Sequence, residues 1–505
     1  MKYDVVIIGS GLGGLQCGYI LSKQGMNVCV LEKNAQPGGC LQSFCRGDHT
    51  FDTGFHYVGG LDAGQPLHRL FDYFGLMDLP WVRMDACGFD EVILHDKSYM
   101  FANGTERFVE TLAGQFPRQK ENLRKYAEFL QKVSDNLFNS FTKQGEEDPY
   151  GTSLLAQSAY DYLVTTIDDP LLRQVLSATS LKMELNPRTL PLYIFAQINS
   201  SYIQSAWRLK GGGSQIADTL IKSITANGGT VRLKSEVTRL IEDGGKIVAA
   251  EVQGYGGGNV ERIEAGYFIA GIHPAVVFAL ITESKLIRKI FRKRINNLEN
   301  TFGMFTVNIA LKENVIPYQN RNIYVYKTGD VWQYSEYQPD NFNTCAIVSF
   351  QLPDNNSIYT RNIDILTPMY WQEVEQWADA GCRNAGYQSY KNKKAEACIR
   401  LVSHHIPGLQ DFTNPLDAIE RLYTSTSLTY HKYTGTPHGS AYGIRKDCNQ
   451  LSTTLLSPRT PEPNLFLTGQ NLNLHGVLGV SMTSFFTCAE IIGMNKAVSL
   501  ILKSK

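Results

Sequence analysis

The sequence predicts an α/β fold built around a parallel sheet, and three observations near the start of the chain predict it. Residues 5–8 form a run of Val and Ile that is too short for a helix and typical of a strand buried on both faces. The glycine pattern GxGxxG follows at residues 9–14, and a second apolar run at residues 28–31 ends at Glu32. A strand, a glycine-rich turn, a helix and a strand that ends in an acid make up a Rossmann-type dinucleotide-binding unit.

The glycines of this unit have separate tasks. Gly9 and Gly11 permit a tight turn and let a pyrophosphate approach the backbone, whereas Gly14 lets the following helix lie against the strands. The unpaired N–H groups at the start of that helix favour the negative charge of phosphates. Glu32 is placed to accept hydrogen bonds from ribose hydroxyls, which argues against a 2′-phosphate at this position.

The length and composition of the chain limit the alternatives. A chain of 505 residues exceeds the size at which a single core stops growing, so we expect two or more structural units. Lys plus Arg equal Asp plus Glu at 48 each, so the chain has no overall field that attracts nucleic acid. The ten cysteines form no CxxC pair and no metal-ligand spacing. This pattern favours free thiols, argues against the dithiol of a disulfide reductase and predicts no metal site.

Hydrophobic patterning predicts a cytoplasmic protein that is soluble or peripherally bound to a membrane. No segment reaches the roughly 18 apolar residues that span a bilayer, and the N-terminus lacks the pattern of a signal peptide. Residues 285–298 interleave six Lys or Arg residues with Leu, Ile and Phe at helical spacing. Such a basic amphipathic stretch either forms a solvated helix face or contacts an anionic membrane surface. The 26 Tyr and 24 Phe residues either fill the core or line an apolar cavity.

The middle of the chain predicts a second structural unit. Residues 99–101 and the turn Asn103-Gly104 predict a hairpin, and apolar residues at helical spacing from Leu123 to Phe141 predict a helix. Further strands are predicted at residues 302–311, 323–326 and 345–352.

A strand, a glycine-rich loop and a helix close the chain from residue 464, as they open it. We therefore predict a nucleotide-binding domain formed by three segments, residues 1–95, 206–284 and 416–505. An inserted α+β substrate domain is predicted to contain a helical lid at residues 96–205 and a sheet with helices at residues 285–415. Only the first glycine motif is expected to have a strand before it and a helix after it. The glycines at 211–213 and 256–258 are not, so we expect no separate domain for a nicotinamide cofactor.

Several later segments resemble one family. They are FDTGFHYVG at residues 51–59, residues 207–229, GSAYG at residues 439–443 and TGQN at residues 468–471. In this order they are similar to segments of the FAD-dependent phytoene desaturase, carotenoid isomerase and retinol saturase family, within the amine-oxidase-like flavoprotein superfamily. The resemblance covers nearly the full length and is closest to the retinol saturase and carotenoid isomerase branch.

The resemblance implies that FAD lies extended between both ends of the chain. The residues implied at the pyrophosphate, the ribose and the turn that follows are Gly9, Gly11, Gly13, Gly14, Glu32, Lys33, Gly38 and Gly39. The residues implied at adenine, the ribityl chain and the flavin ring are Val237, Gly469, Gln470, Gly479 and Val480. Gln470-Asn471 departs from the family, because many relatives carry an acid in this loop.

The resemblance also implies an oxidoreductase that acts on carbon–carbon double bonds of a long apolar polyene or isoprenoid-like molecule. Reduction is preferred, while desaturation and isomerisation stay open. The electron partner is unknown, and NAD(P)H is one candidate for a transient donor. Two alternatives are a flavin oxidase of amines or porphyrinogens and a lipid-binding chaperone like the Rab GDP-dissociation inhibitors.

Reduction of a double bond needs a proton donor as well as the cofactor. The sequence offers His56, Tyr57 and His475 as candidates, because they lie in the loops expected next to the flavin and imidazole ordinarily titrates near neutral pH. His438 and Tyr442 are weaker candidates. The alternative for each is a hydrogen-bonded side chain that packs the loops.

Overall fold

A computed structural model describes residues 2–137, 149–254, 256–333, 337, 344–353, 357–379 and 384–502. Two seven-stranded sheets dominate this part of the chain. Helices cover the sheets, and strands and helices are numbered below in chain order. The predicted α/β fold with a parallel sheet is confirmed.

The first sheet contains the glycine-rich unit. Its strands are β1 (Lys2–Ile8), β2 (Val28–Leu31), β10 (Thr230–Arg232), β11 (Ser235–Asp243), β12 (Lys246–Gly254), β13 (Val260–Ala270) and β21 (Leu465–Leu467). Strands β10, β2, β1, β13 and β21 run parallel, which brings both ends of the chain into one sheet. The first half of β13 pairs with β12 in the antiparallel direction, and β12 pairs with β11 in the same way. Residues 5–8 of β1 are buried, as expected for a strand covered on both faces.

The second sheet is mostly antiparallel. Its strands, in spatial order, are β20 (Ile419–Ser425), β14 (Gly303–Leu311), β19 (Asn362–Met369), β17 (Cys345–Phe350), β16 (Asn322–Tyr326), β7 (Asp90–Leu94) and β8 (Lys97–Phe101). Three of them match the strands predicted from residue 302 onward. Strands β7 and β20 lie in segments 1–95 and 416–505, which were predicted to belong to the nucleotide-binding domain. Both strands pair in the second sheet and not in the first. The division into domains stays a prediction.

Three small sheets accompany the two large ones. The first is formed by β5 (Val58–Gly59), β6 (Trp81–Arg83) and β9 (Ala206–Leu209). The others are β3 (Ser43–Arg46) with β4 (His49–Asp52), and β15 (Ile316–Pro317) with β18 (Tyr359–Thr360). Strand β5 matters most, because it fixes the segment that contains two of the predicted catalytic residues.

The predicted lid begins with strand β8 of the second sheet and is mainly helical over its other described residues. Its helices are α3 (Thr105–Ala113), α4 (Lys120–Asp135), α5 (Pro149–Leu155), α6 (Ala159–Thr166), α7 (Pro170–Ala178) and α8 (Leu192–Gln204). Local sequence explains where two of them begin. The Ser158 hydroxyl caps α6, and the Asp169 carboxylate caps α7, in which Pro170 occupies the first position.

The remaining helices cover the two large sheets or connect their strands. They are α1 (Leu12–Lys23), α2 (Pro66–Tyr73), α9 (Ser214–Ala226), α10 (Pro274–Ala279), α11 (Lys289–Asn296), α12 (Ala385–Ser403), α13 (Ser427–Thr434), α14 (Leu451–Thr454), α15 (Gly476–Ile492) and α16 (Met494–Leu502). No helix in the described part of the chain is both long and apolar enough to cross a membrane.

Two local predictions were wrong. The hairpin of β7 and β8 turns at His95 and Asp96, whose φ angles of 51° and 57° suit a tight hairpin turn, and Asn103-Gly104 instead precedes α3. The glycines at 211–213 do lie between a strand, β9, and a helix, α9. They form no open phosphate site, because a Cβ at Gly212 would lie 2.7 Å from the Ser43 hydroxyl. Phe141 of the predicted helix lies outside the described residues.

Candidate active site

The first glycine-rich turn borders open space at the start of α1. Gly9 has a φ of +92°, which L side chains rarely adopt, and a Cβ at Gly14 would overlap the carbonyl oxygen of Gly9. The close approach of α1 to β1 therefore depends on Gly14. A Cβ at Gly11 would meet no atom within 4 Å. An open turn at a helix N-terminus is the arrangement that a pyrophosphate needs.

Glu32 lies at the end of β2, next to this turn, and is buried. Its Oε2 accepts hydrogen bonds from the backbone N–H and the hydroxyl of Ser10, at 3.0 and 2.7 Å. Its Oε1 accepts the N–H of Asn34 at 2.8 Å. A carboxylate accepts about four hydrogen bonds, so Glu32 orders the turn and keeps acceptor capacity for a ribose hydroxyl.

The other residues implied at the adenosine half lie around Glu32. The backbone carbonyl of Glu32 accepts the N–H of Ser235 at 2.8 Å, which places β11 and its buried Val237 beside the end of β2. The Lys33 ammonium instead reaches the carbonyl of Lys432 at 3.4 Å. The N–H of Gly38 donates to the carbonyl of Ser10 at 3.0 Å, so the second glycine turn packs on the first.

The C-terminal loop closes the same open space from the opposite side. A Cβ at Gly13 would lie 3.1 Å from the Cα of Gly469, and a Cβ at Gly469 itself would meet no atom within 4 Å. Helices α1 and α15 are joined by a hydrogen bond of 2.7 Å from the Gln16 amide to the Ser481 hydroxyl. We call Gly9, Gly11, Gly13 and Gly469 the glycine cradle.

The Gln470-Asn471 departure has a structural explanation. The Asn471 side-chain oxygen accepts the N–H of Ile444 at 3.1 Å, and its backbone carbonyl accepts the buried Lys446 ammonium at 2.7 Å. Asn471 therefore fastens the loop to a neighbouring segment, a task for which an amide suffices. Gln470 is half-buried. Gly479 and Val480 are buried in the first turn of α15, and this turn packs closely on residue 474.

A cavity opens at the N-terminus of α15. Most of its wall is apolar and comes from α8, β5 and the residues around the start of α15. Its polar lining side chains are Lys182, Gln197, Ser201, Tyr202 and His475. Among the described residues that line it there is one cation and no carboxylate.

Five polar side chains meet at this cavity, two in its wall and three linked to those two directly or through Tyr57, and we call them the cavity cluster: Lys182, Tyr202, Tyr57, Asp90 and Tyr324. The Tyr57 hydroxyl donates to Asp90 Oδ2 at 3.0 Å and lies 2.6 Å from the Tyr324 hydroxyl. Lys182 Nζ donates to the Tyr57 hydroxyl at 3.3 Å and lies 3.9 Å from Asp90 Oδ2. The same ammonium lies 4.0 Å from the centre of the Tyr202 ring.

The three predicted catalytic residues do not form one group. Tyr57 belongs to the cavity cluster, and His475 lines the cavity with its Nε2 3.3 Å from the carbonyl of Lys182. His56 faces the second sheet instead, with its Nδ1 3.7 Å from Asp364 Oδ2. Its Nε2 is buried and has no hydrogen-bond partner among the described residues. The structure therefore connects Tyr57 and His475 through Lys182, with His475 in the cavity wall, and places His56 against the second sheet.

Burial changes the pKa values of the two candidate histidines. It lowers the pKa of His475 to about 4, and burial together with nearby Arg208 lowers the pKa of His56 to about 4. Both imidazoles are therefore neutral at neutral pH, so their expected titration near neutrality is wrong. Burial and the charge of Asp90 raise the pKa of Tyr57 well above its ordinary value. Their catalytic roles stay predictions.

The two weaker candidates also differ from each other. The ring of Tyr442 lies 4.8 Å from that of His475, and its hydroxyl donates to the carbonyl of Leu181 at 2.8 Å. It therefore borders the cavity region. The ring of His438 lies 5.3 Å from that of Trp371 and is tilted by 35°, and His438 occupies a left-handed turn with φ of 55°.

The cradle and the cavity agree with comparisons with known proteins. A family model described as flavin containing amine oxidoreductase matches residues 12–366 of this chain, which is more than half of its length. The chain belongs to the flavin-containing amine oxidoreductase family. It is therefore a flavin-dependent oxidoreductase, as the glycine cradle predicts.

The individual relatives of this chain have low sequence identity to it. The all-trans-retinol 13,14-reductase of Rattus norvegicus is 26% identical over 98% of this chain and 86% of its own length. The chloroplastic prolycopene isomerase of Daucus carota is 23% identical over 88% of this chain and 72% of its own length. These relatives confirm the predicted resemblance to the retinol saturase and carotenoid isomerase branch.

A solved structure extends the comparison to the fold. Cyclohexylamine oxidase from Brevibacterium oxydans IH-35A superposes with a TM-score of 0.61 and 14% identity, covering 100% of this chain and 99% of that chain. At this identity the likeness shows that the amine oxidoreductase fold is shared. The glycine cradle fits the flavin cofactor of the family, because Gly11 and Gly469 border open space where the two chain ends meet.

Sequence analysis missed Lys182, Asp90, Tyr202 and Tyr324. None of them lies in a glycine-rich segment or a recognisable motif. Their only shared signal is burial of polar side chains, which becomes visible after folding. A charged residue in an apolar helical region, as at Lys182, was the one hint that the sequence offered.

Proposed function

We propose that this protein reduces a carbon–carbon double bond of a long polyene, with FAD as the bound cofactor. The single observation that carries the proposal is the cavity at the start of α15, whose wall is mostly apolar and whose polar groups gather at Lys182, Tyr202 and His475. The names of the relatives support the substrate class, because one is a reductase of a retinol and another an isomerase of a carotene.

The charge of the cavity argues against an amine as substrate. Lys182 is the only charged side chain among the described lining residues, and an ammonium repels a protonated amine. A neutral polyene has no such penalty. The apolar wall favours it, because burial of apolar surface is worth about 25 cal/mol per Å².

The residues of the chain divide the work of this reaction. The glycine cradle, Glu32 and the β11 segment would hold the cofactor, and a bound flavin supplies the pair of electrons. The apolar wall orients the polyene and excludes water. Tyr202 and Lys182 present a polar end to the cavity, where a hydroxyl end group of a polyene can form hydrogen bonds.

The proposal is tested with the flavin absorbance of the purified protein under anaerobic conditions. We expect all-trans-retinol to restore the oxidised flavin band after photoreduction, and cyclohexylamine to leave the oxidised band unchanged. Reduction of the flavin by the amine, with no reoxidation by any polyene, contradicts the proposal and favours an amine oxidase. Conversion of a cis polyene without net flavin reoxidation indicates isomerisation instead.

We propose NAD(P)H as a transient electron donor that reaches the bound flavin without a domain of its own. Mixing NADPH or NADH with the oxidised protein measures this directly. Bleaching of the flavin band supports the proposal. An unchanged band beside complete reduction by dithionite requires a different electron partner.

We also propose peripheral membrane contact through residues 285–298. Within this segment α11 buries Ile295 and exposes Ile290, whose side chain is 77% accessible. Lys285, Lys289 and Lys293 have no acidic partner within ion-pair distance among the described residues. We expect the protein to sediment with vesicles that contain anionic phosphatidylserine and to lose this when Ile290→Asp is introduced. Equal sedimentation of this variant contradicts the contact.

A further inference from the structure

Lys182 is the one cation among the described residues of the cavity wall. It ends a short helical turn, Thr179–Lys182, that follows α7, and its side chain is only 12% exposed. Its Nζ donates a hydrogen bond to the Tyr57 hydroxyl, and its backbone carbonyl lies 3.3 Å from the His475 ring. The ammonium thus lies in the same cavity wall as the start of α15, which the family resemblance places at the flavin.

The titratable groups around this cavity differ in the proton that they can release. His475 is neutral at neutral pH, and the pKa values of Tyr57, Tyr202 and Tyr324 are raised far above neutrality by burial. Burial lowers the pKa of Lys182 to about 8, although the charge of Asp90 opposes the shift. A general acid works best when its pKa lies near the working pH. Lys182 meets this condition best among the groups named here.

We propose that Lys182 donates the proton that accompanies reduction of the double bond, an inference that rests on the proposed function. Reduction would add a hydride, which a bound reduced flavin would supply, to one alkene carbon as the π bond breaks, and the neighbouring carbon takes a proton from Lys182 Nζ. The alkene becomes a single bond, the electron pair would come from the cofactor, and Lys182 is left as a neutral amine. Water returns the proton before the next turnover.

Tyr57 and Asp90 are positioning residues in this scheme. The Tyr57 hydroxyl accepts a hydrogen bond from Lys182 and donates one to Asp90, so it fixes the direction of the ammonium. Asp90 is fully buried and is held from the other side by the Asn322 amide at 2.9 Å. Its charge keeps Lys182 protonated at a pH where burial alone would favour the neutral amine.

Two substitutions separate proton donation from a purely structural role. Lys182→Arg keeps the positive charge but replaces the amine by a guanidinium that does not release its proton in proteins. Lys182→Met keeps the length and removes the charge. Lys312→Met, at an exposed lysine after β14, is the matched control.

The experiment mixes photoreduced protein with all-trans-retinol and follows flavin reoxidation. We expect reoxidation to slow by about 100-fold in both Lys182→Arg and Lys182→Met, a typical contribution of a general acid. We expect the control to keep the wild-type rate and all three variants to keep their flavin content, with reoxidation rates compared at saturating retinol. Wild-type rates in both Lys182 variants overturn the inference. Recovery of the rate in Lys182→Arg alone also overturns it, because charge then suffices.

A second readout needs neither flavin nor turnover. Protein that carries lysine labelled with ¹³C at Cε is titrated by NMR, and the signal absent from Lys182→Arg is assigned to Lys182. We expect a midpoint near pH 8, as the lowered pKa implies. A midpoint near about 10, the ordinary lysine value, overturns the inference. If no polyene reoxidises the wild-type protein, the proposed function fails. The titration still measures the pKa of Lys182 in that case.

Discussion

The glycine cradle and the cavity cluster are built in opposite ways. The cradle consists of backbone and small residues, and three of its four glycines lie within five consecutive positions of the chain. The cavity cluster consists of large polar side chains that come from five separate segments, from Tyr57 to Tyr324. The cradle leaves room for a ligand, whereas the cluster fills space with buried charges and hydroxyls. A short glycine pattern therefore encodes most of the cradle, whereas the cavity cluster depends on tertiary structure.

The largest effect is expected at Gly14. In Gly14→Ala the new Cβ overlaps the Gly9 carbonyl, and we expect the free energy of unfolding of the flavin-free protein to fall by about 3 kcal/mol. Thermal unfolding followed by circular dichroism measures the loss. Gly11→Ala is the matched variant, because its Cβ meets no protein atom. It should keep the stability of the flavin-free protein and weaken flavin binding, whereas equal destabilisation of both variants contradicts the open cradle.

The next largest effect is expected at Asp90. Asp90→Asn removes the carboxylate that faces Lys182 in a buried site, and we expect a loss of about 2 kcal/mol in the free energy of unfolding. The substitution also removes the charge that raises the Lys182 pKa, so that pKa should fall below about 8. The pH at which the reoxidation rate falls to half its maximum should then be lower than in the wild type. An unchanged pH profile means that Asp90 does not control Lys182.

A smaller effect is expected for Tyr57→Phe. The substitution removes a hydroxyl that bonds to Asp90 and lies against the Tyr324 hydroxyl, at a cost of about 1 kcal/mol in stability. We expect the reoxidation rate to fall less than in the Lys182 variants, because Tyr57 positions the proton donor. Loss of reoxidation greater than in Lys182→Met would make Tyr57 itself the donor. Tyr433→Phe, at a side chain that is 52% exposed, is the control.

The smallest effect is expected at Glu32. Glu32→Gln keeps one acceptor and the shape of the side chain but weakens the charge-assisted bonds to Ser10 and Asn34. We expect FAD affinity to fall about fivefold, measured by fluorescence quenching of the free flavin. The control is Glu128→Gln on the exposed face of α4. Unchanged affinity would show that the ordered turn alone suffices.

The sequence predicted the parts of the molecule that depend on short-range physics. The glycine pattern at residues 9–14 dictates a strand, a turn and a helix, and the apolar runs at residues 5–8 and 28–31 become adjacent strands. Strands β7 and β20 escaped prediction as members of the second sheet. Besides its hairpin with β8, β7 pairs with β16, and β20 pairs with β14; both β16 and β14 lie more than 100 residues away in sequence. Local pattern does not reveal such pairs.

The same reasoning explains the mixed result at the candidate site. Tyr57 and His475 were predicted from their position in glycine-rich loops, and the structure brings both into contact with Lys182 of the cavity wall. The choice of histidines rested on the ordinary pKa of imidazole, and burial, which is a tertiary property, removes that argument. Lys182 was overlooked because an isolated lysine in a sequence is most often a solvated surface residue.

The central claim is that a flavin held by the glycine cradle reduces a double bond of a polyene that is bound in the cavity at the start of α15. The most direct test is a single anaerobic turnover of the photoreduced protein, with mass spectrometry of the extracted polyene. The account predicts a product that has gained two hydrogen atoms, in an amount equal to the flavin that is reoxidised. Recovery of a polyene of unchanged mass while the flavin stays reduced would contradict it.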